Sequence, residues 1–479
     1  MTRKLLGLCA ATFAGLAGAH ASTPQNIVLI LADDLGWMDV GAYGSTFYQT
    51  PAIDQLAREG VRFTDAYAAC AVCTPTRAAI MTGKYPARIL MTNWTPDGRW
   101  NVHSPMREGR FLRDLPLEEI TIAEALRETG YRNASIGKWH LGGPPFSMPE
   151  HHGFDINRGG SAHGAPGSYF YPYQGNWRIP TTELTSQWVV FEDGEEGEYL
   201  TDRLTDEAIQ FIRENKDRPF FLYLPHYAPH TPIEAKPEMV AKYEAVPRRE
   251  RQGDPTYAAM VESLDESVGR IMETLRELKL DENTVVIFYS DNGGHWRFTN
   301  HAPLRGHKGT YWEGGIRVPL IVRWPGVAEP GRVVSEPVTS MDLYPTMLRM
   351  AGQPLRPSQH LDGLDLTPLL DGSGTLNRKS LFWHFPHYNN HRETAPSGVI
   401  RRGDWKLIET FDPPGFELYN LAEDIGETNN LYEAKPEIAR SLLHEMNAWR
   451  QEVRADMMQP NPDYDPSKLG RRERHRREE

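Results

Sequence analysis

Asn26-Ile27-Val28-Leu29-Ile30-Leu31-Ala32-Asp33-Asp34 is the stretch that decides the fold. Residues 27–31 are apolar without a break, short and partly β-branched, which is how a strand covered on both faces reads. Asp33 and Asp34 follow at once, so two acidic groups sit at the strand exit. The same grammar recurs downstream: 131–136 runs into Gly137-Lys138-Trp139-His140-Leu141-Gly142, and 220–224 precedes Pro229-His230-Thr231-Pro232. A fourth strand-like segment, the apolar run 285–289, precedes Ser290-Asp291-Asn292-Gly293-Gly294. Helical signals alternate with these strands. Thr50-Pro51 caps a helix carrying Ile53, Leu56 and Ala57 on one face and stopping at Gly60, the capping box Thr121-x-x-Glu124 opens a second, and 257–280 is a long amphipathic stretch. Alternating strands and helices predict an α/β fold with a large, mostly parallel sheet flanked by helices. Ligand sites in such sheets gather at the carboxyl ends of the strands, where all four polar motifs fall.

Beyond a helix-like segment at 340–351, residues 353–374 form a Pro- and Gly-containing connection, and the pattern changes. Short extended segments at 381–385, 398–401, 405–408 and 416–419, then a helix over 436–453, predict a smaller C-terminal α+β unit with an antiparallel sheet. The expected division is a catalytic domain over 22–374 and a C-terminal subdomain over 375–479. The final GRRERHRREE, from 470, reads as a solvated charged end.

The N-terminus carries Arg3-Lys4, an apolar segment at 5–16 and the small-x-small site Ala19-His20-Ala21. This reads as a cleaved signal peptide over 1–21, giving an exported protein, periplasmic or secreted, that starts at Ser22. The alternative, an N-terminal anchor helix, needs about 20 apolar residues, and no run in the chain reaches that length. A formal net charge of -12 in 479 residues argues against a nucleic-acid partner. With Cys9 in the leader, only Cys70 and Cys73 remain, too few for a disulfide framework.

Cys73-Thr74-Pro75-Thr76-Arg77, continuing Ala78-Ala79-Ile80-Met81-Thr82-Gly83, is the most specific feature of the chain. Taken alone, Cys73 could be a buried structural thiol, or half of a Cys70-Ala71-Val72-Cys73 redox or metal pair. Asp33-Asp34 and Asp291-Asn292 offer hard oxygen ligands to a calcium-like cation, although such pairs also serve as caps and solvated loops. The pentapeptide resembles the Cys-x-Pro-x-Arg formylglycine signature of type I sulfatases, in the alkaline-phosphatase-like superfamily. The likeness extends to GKWHLG, PHTP, the segment from Leu304 through Lys308 to Pro319, Asp342-Leu343-Tyr344-Pro345-Thr346 and Glu417-Leu418-Tyr419-Asn420-Leu421. Thr76 replaces the serine usual at its position.

The resemblance implies that a maturation enzyme converts Cys73 to formylglycine. It also implies that Asp33, Asp34, Asp291, Asn292 and residue 73 hold one divalent cation, Ca2+ first with Mg2+ as the alternative. Arg77, Lys138, His140, His230 and Lys308 match the residues that the family places around the sulfate. A hydrated aldehyde offers one hydroxyl to attack sulfur and a second whose deprotonation expels sulfate, a step a thiol cannot perform. Arg77 would hold residue 73, His230 with Lys308 would protonate the leaving oxygen, and His140 would take the proton of the second hydroxyl.

The substrate side is read from loops rich in aromatic and basic residues: Trp94, Arg99, Trp100, His163, Tyr171, Trp177, His387 and Arg401. Gly153-Phe154-Asp155-Ile156-Asn157 with Ser168-Tyr169-Phe170 resembles bacterial carbohydrate sulfatases, pointing to a sulfated carbohydrate of galactose or N-acetylgalactosamine type. Two rivals stand beside this: a phosphonate or phosphate ester hydrolase of the same superfamily, and a non-catalytic binder of sulfated glycans with an unconverted Cys73.

Overall fold

The computed structural model describes residues 25–95, 101–178 and 185–469, so the expected leader, Arg99, Trp100 and the charged tail lie outside the described residues. The main sheet is built from β1 (Asn26–Ala32), β2 (Val61–Phe63), β3 (Arg132–Ile136), β4 (Ile156–Arg158), β5 (Phe220–Pro225), β6 (Thr284–Ser290), β7 (Leu320–Arg323) and β8 (Val333–Val334), in the spatial order β8-β2-β7-β6-β1-β5-β3-β4. β1 lies between β5 and β6 and runs parallel to both, while β7 is antiparallel to its neighbours β6 and β2. The sheet is therefore mixed but mostly parallel, as the alternating pattern predicts.

Why 27–31 is apolar at every position is visible in the packing. Val28, Ile30 and Ala32 point into one core and Ile27, Leu29 and Leu31 into another, on the opposite face of the sheet. The helices that cover these faces are α1 (Pro51–Glu59), α2 (Cys73–Thr82), α3 (Ile122–Arg127), α4 (Leu200–Glu214), α5 (Pro255–Glu277) and α6 (Leu343–Met350). Leu56, Leu204, Ile212, Leu264 and Ile271 of α1, α4 and α5 close the first core. Ile80, Ile122, Leu126 and Leu348 of α2, α3 and α6 close the second. Each such side chain fully removed from water contributes roughly 1.5–3 kcal/mol.

The helix starts follow two different routes. At α3 the capping box forms as read: Glu124 N donates to Thr121 Oγ1 at 3.1 Å and Thr121 N to the Glu124 carboxylate at 2.8 Å. At α1 Pro51 occupies the first turn, but the Thr50 hydroxyl does not cap it. It accepts from Gly41 N at 2.8 Å and donates to Asp54 at 3.1 Å. The free N–H groups of Ala52 and Ile53 are met instead by Asp265 of α5, at 3.1 and 2.7 Å.

The C-terminal part is an antiparallel meander, β9 (Ser380–Phe385), β10 (Ser397–Arg402), β11 (Trp405–Phe411) and β12 (Pro414–Asn420), followed by α7 (Pro436–Glu452). One face of the meander packs Ile400, Leu407 and Leu418 on Leu442 and Met446 of α7. The other packs Trp383, Phe385, Val399 and Ile408 on Tyr67, Cys70, Ala71 and Val72. The small sheet thus braces the loop that leads into Cys73, and Trp383 Nε1 donates to Ala68 O at 2.8 Å.

Candidate active site

The register β1 to β6 sets Ala32 beside Ser290, so Asp33-Asp34 and Asp291-Asn292 leave adjacent parallel strands side by side. The two exits are stitched together. Asp34 N donates to Asp291 Oδ1 at 3.2 Å, and Asn292 Nδ2 donates to Asp34 Oδ1 at 2.8 Å. Asp34 adopts a positive φ of 64°, a left-handed conformation that turns the chain sharply after the strand. From β3, Lys138 N donates to Pro225 O at 2.7 Å, bringing GKWHLG against the end of β5. Gly137 is required there: its φ is 120°, and a Cβ would lie 2.1 Å from Pro225 O.

Cys73 opens α2 in the same cleft, 4% exposed, with Val72 extended ahead of it. The Thr76 hydroxyl donates to Cys70 O and accepts from Cys70 N, both at 3.1 Å, closing the turn before the helix. Threonine supplies the hydroxyl that the usual serine would. Cys70 itself faces the core, its sulfur 3.2 Å from the Tyr311 hydroxyl.

Around Cys73 the polar groups are almost wholly buried. Arg77 meets Asp291 through Nε at 2.9 Å and Nη2 at 2.8 Å, and donates through Nη1 to Lys138 O at 2.9 Å. Lys138 Nζ donates to Asp33 Oδ2 at 2.6 Å, and Lys308 Nζ to Asp34 Oδ2 at 2.7 Å. His230 Nε2 stands 3.6 Å from Asp34 Oδ2. Lys308 is pinned by its backbone, with Lys308 N on Gly294 O at 2.9 Å and Gly309 N on Ala71 O at 2.8 Å. All six matched residues, Cys73, Arg77, Lys138, His140, His230 and Lys308, therefore converge with Asp33, Asp34, Asp291 and Asn292 on one site.

The donor set fits a hard divalent cation. Asp33, Cys73 and Asp291 each bring an atom within 4.8 Å of the others, as do Asp33, Asp34 and His230. Asp33 Oδ1 and Asn292 Oδ1 are buried without a hydrogen-bond partner among the described residues, and two orphaned oxygens in a carboxylate-lined site are what an oxygen-seeking cation would satisfy. Burial, then Asp291, pushes the Asp33 carboxyl up to about 8 despite Lys138 and Arg77, so the two cations only partly offset the desolvation of its charged form. Asp34 goes the other way: against burial, Lys308, His230 and Lys138 hold it well below the usual carboxylate range.

The same environment sets the states of the acid–base groups. Burial holds the Cys73 thiol above its ordinary range, with Lys138 and Lys308 offsetting it only in part. Burial, then Lys138, holds His140 well below an ordinary imidazole. His140 Nε2 contacts Thr95 O, a carbonyl that can only accept, so the ring hydrogen sits on Nε2 and Nδ1 keeps its lone pair. That Nδ1 is buried and has no partner among the described residues. His230 is likewise held down by burial and Lys308, with Asp34 opposing. Its Nδ1–H is committed to Thr231 O at 2.8 Å, which leaves Nε2 to exchange a proton.

The cleft above these groups has a volume of about 290 Å3, and Trp94, Thr95, His140, Gly164, His230, His295, Lys308, Asn389, Asn390 and His391 are among its lining residues. Among the described residues, Trp94 is the aromatic side chain read as a substrate contact that lines it. His163 neighbours Gly164 but stacks on Trp188, ring centroids 4.6 Å apart. His387 is fully buried and bonds Thr92 through Nε2 at 2.8 Å. Arg401 faces away from the cleft into a buried network, with Asp65 at 2.8 Å and the Tyr67 hydroxyl. His295 and the 389–391 loop were not singled out by sequence. His295 lies just past Asp291-Asn292-Gly293-Gly294 and was readable from that adjacency; the 389–391 loop reaches the cleft only through the docking of the meander.

The sulfatase family profile matches residues 25–353, and one described as N-sulphoglucosamine sulphohydrolase, C-terminal, matches 307–452. A sulfatase of Formosa agariphila is 34% identical, the alignment covering 90% of this chain and 89% of the relative. The N-acetylgalactosamine-6-sulfatase of Canis lupus familiaris is 36% identical, covering 80% and 72%. Among solved structures, Ps i-CgsB in complex with k-i-k-neocarrahexaose superposes with a TM-score of 0.75 at 32% identity, covering 92% of this chain and 95% of that one. With a profile match across most of its length and relatives aligned almost end to end, the chain belongs to the sulfatase family, has the alkaline-phosphatase-like fold, and is a sulfuric ester hydrolase.

Proposed function

We propose that this sulfatase removes sulfate from a sulfated carbohydrate of galactose or N-acetylgalactosamine type, with residue 73 acting as formylglycine after conversion by a maturation enzyme. The observation that carries the catalytic half is the convergence on buried Cys73 of Asp33, Asp291, Lys138 and Lys308. A thiol held in its neutral form there is a poor nucleophile, which is consistent with a site built for a different group at that position. Similarity to an N-acetylgalactosamine-6-sulfatase and to a protein solved with a neocarrahexaose supports the carbohydrate half.

Asp33, Asp34, Asp291 and Asn292 would hold one divalent cation, Ca2+ by preference, which would polarise a sulfate oxygen and help hold residue 73. The hydrated aldehyde supplies two hydroxyls, one to attack sulfur and one to release sulfate afterwards. Arg77, locked on Asp291 and Lys138 O, fixes the head of α2 and thereby the line of attack. Lys138 and Lys308 neutralise non-bridging oxygens as charge moves toward the leaving oxygen.

His230 gives its Nε2 proton to that oxygen as the S–O bond breaks; the anionic ester beside it supplies the negative charge that raises its proton affinity on binding. His140 Nδ1, an available lone pair at neutral pH, takes the proton of the second hydroxyl. The exported location read from residues 1–21 suits an enzyme acting on a polymer outside the cytoplasm. The test is sulfate release from a panel of mono- and oligosaccharide sulfates, with phosphate and phosphonate esters alongside. Sulfated galactose or N-acetylgalactosamine units should rank first, and faster turnover of a phosphonate ester would replace this reading with the phosphonate one.

A further inference from the structure

Two strips of chain meet at the mouth of the cleft, and neither takes part in the chemistry above. His295-Trp296-Arg297 follows the exit of β6, and Asn390-His391-Arg392 comes from the loop between β9 and β10. They touch at two levels. Inside, the His295 and His391 rings lie 5.2 Å apart, edge to face, on the cleft wall. Outside, Trp296 is 37% exposed, with the guanidinium of Arg297 over its ring at 5.3 Å and that of Arg392 at 5.9 Å.

Gly309, next to Lys308, makes the contact possible. Its φ is 88°, and a Cβ there would lie 2.9 Å from Asn389 Nδ2 and 3.0 Å from the His391 ring, so the loop seats directly on the Lys308 segment. An exposed indole clasped by two arginines offers an anion a local cationic patch on a molecule whose formal net charge is -12. Among the described residues no carboxylate pairs with Arg297, and Arg392 meets Glu393 at 2.9 Å, a contact 67% exposed on the arginine side. Solvated pairs of that kind are weak and yield readily to a better anion.

The inner level is suited to hydroxyls. Arg297 N donates to His295 Nδ1 at 3.2 Å, so His295 carries its ring hydrogen on Nε2 and offers a neutral donor.

The geometry points to a second binding site at the cleft mouth, formed by Trp296, Arg297 and Arg392, that takes a further sulfated sugar ring of the same chain while His295 and His391 orient the ring being cleaved. The site rests on the carbohydrate reading and deepens it: the preferred substrate is a multiply sulfated oligosaccharide. The exposed part of the Trp296 indole packs against the sugar ring, and the two guanidiniums beside it bind its sulfate.

The test compares the mature enzyme with an Arg297→Ala/Arg392→Ala variant on 4-nitrophenyl sulfate, a monosulfated monosaccharide and a multiply sulfated oligosaccharide. Both arginines are exposed, so an unchanged Tm is expected. For the oligosaccharide kcat/KM should fall about ten-fold or more, mostly in KM, as lost charge-assisted hydrogen bonds imply. The wild-type reaction should weaken with added salt and the variant's less so, while turnover of the two small substrates stays within about two-fold. Equal losses on all three substrates, or no loss on the oligosaccharide, would overturn the second site while leaving the carbohydrate reading standing. Wild-type turnover of 4-nitrophenyl sulfate without cleavage of any sugar sulfate would instead remove the carbohydrate reading and the site with it.

Discussion

At the scale of single residues, function hangs on groups that could not be charged or buried alone. Arg77 is fully buried and holds Asp291 through two nitrogens. Replacing it with Ala strands a carboxylate away from water, so we expect about 3–5 kcal/mol of destabilisation by urea denaturation together with loss of turnover. His140→Ala, by contrast, should keep the fold and KM while kcat falls about 10²–10⁴-fold, the range for loss of a positioned base; a fall in stability with kcat retained would assign His140 to structure. The residues of the cleft differ in how they could be read. Asp33, Asp34, Asp291 and Asn292 were legible because each follows an uninterrupted apolar run, and strand ends are where such sheets keep their ligands. His391 was not, since a lone imidazole in a loop carries no period and its neighbour His295 lies almost a hundred residues back along the chain.

At the scale of elements, local signals and tertiary ones divide the helix starts between them. Thr121 caps α3 within its own turn, and sequence spacing suffices to see it. Asp265 serves α1 from more than two hundred residues away, which no local pattern encodes. Asp265→Ala should therefore cost about 1–2 kcal/mol in a urea titration, with activity unchanged, as for loss of an ordinary cap. His226 closes β5 in a similar hidden fashion. It is fully buried against Ser267 Oγ at 3.0 Å, and burial lowers it from 6.5 to about 3. A histidine whose folded pKa is depressed contributes stability that is present above its unfolded value and lost as pH falls through the folded one. The difference in urea midpoint between the wild type and His226→Asn should thus be widest above pH 6.5 and narrow steadily toward pH 3; a difference that grows on acidification would contradict this.

At the scale of the whole molecule, the meander and the large sheet are held as one body by apolar packing and by a buried ion network. Lys406 is fully buried between Glu313 and Glu427, at 2.8 Å from each, while Arg317 and Arg401 converge on Asp65 nearby. Lys406→Met leaves two carboxylates facing each other in the interior, and we expect loss of about 3–5 kcal/mol with weakened activity, because the same interface carries the loop before Cys73. The C-terminal antiparallel sheet was legible from its short extended segments, whereas its packing on Cys70, Ala71 and Val72 was not, since those residues carry no signal of their partner. The central claim is that Cys73 is the precursor of a formylglycine. Its most direct test is the mass of the tryptic peptide 63–77 from protein made in a host that supplies the maturation enzyme. The account predicts the loss of mass of thiol-to-aldehyde conversion at position 73, in parallel with sulfatase activity; an intact thiol in fully active enzyme would contradict it.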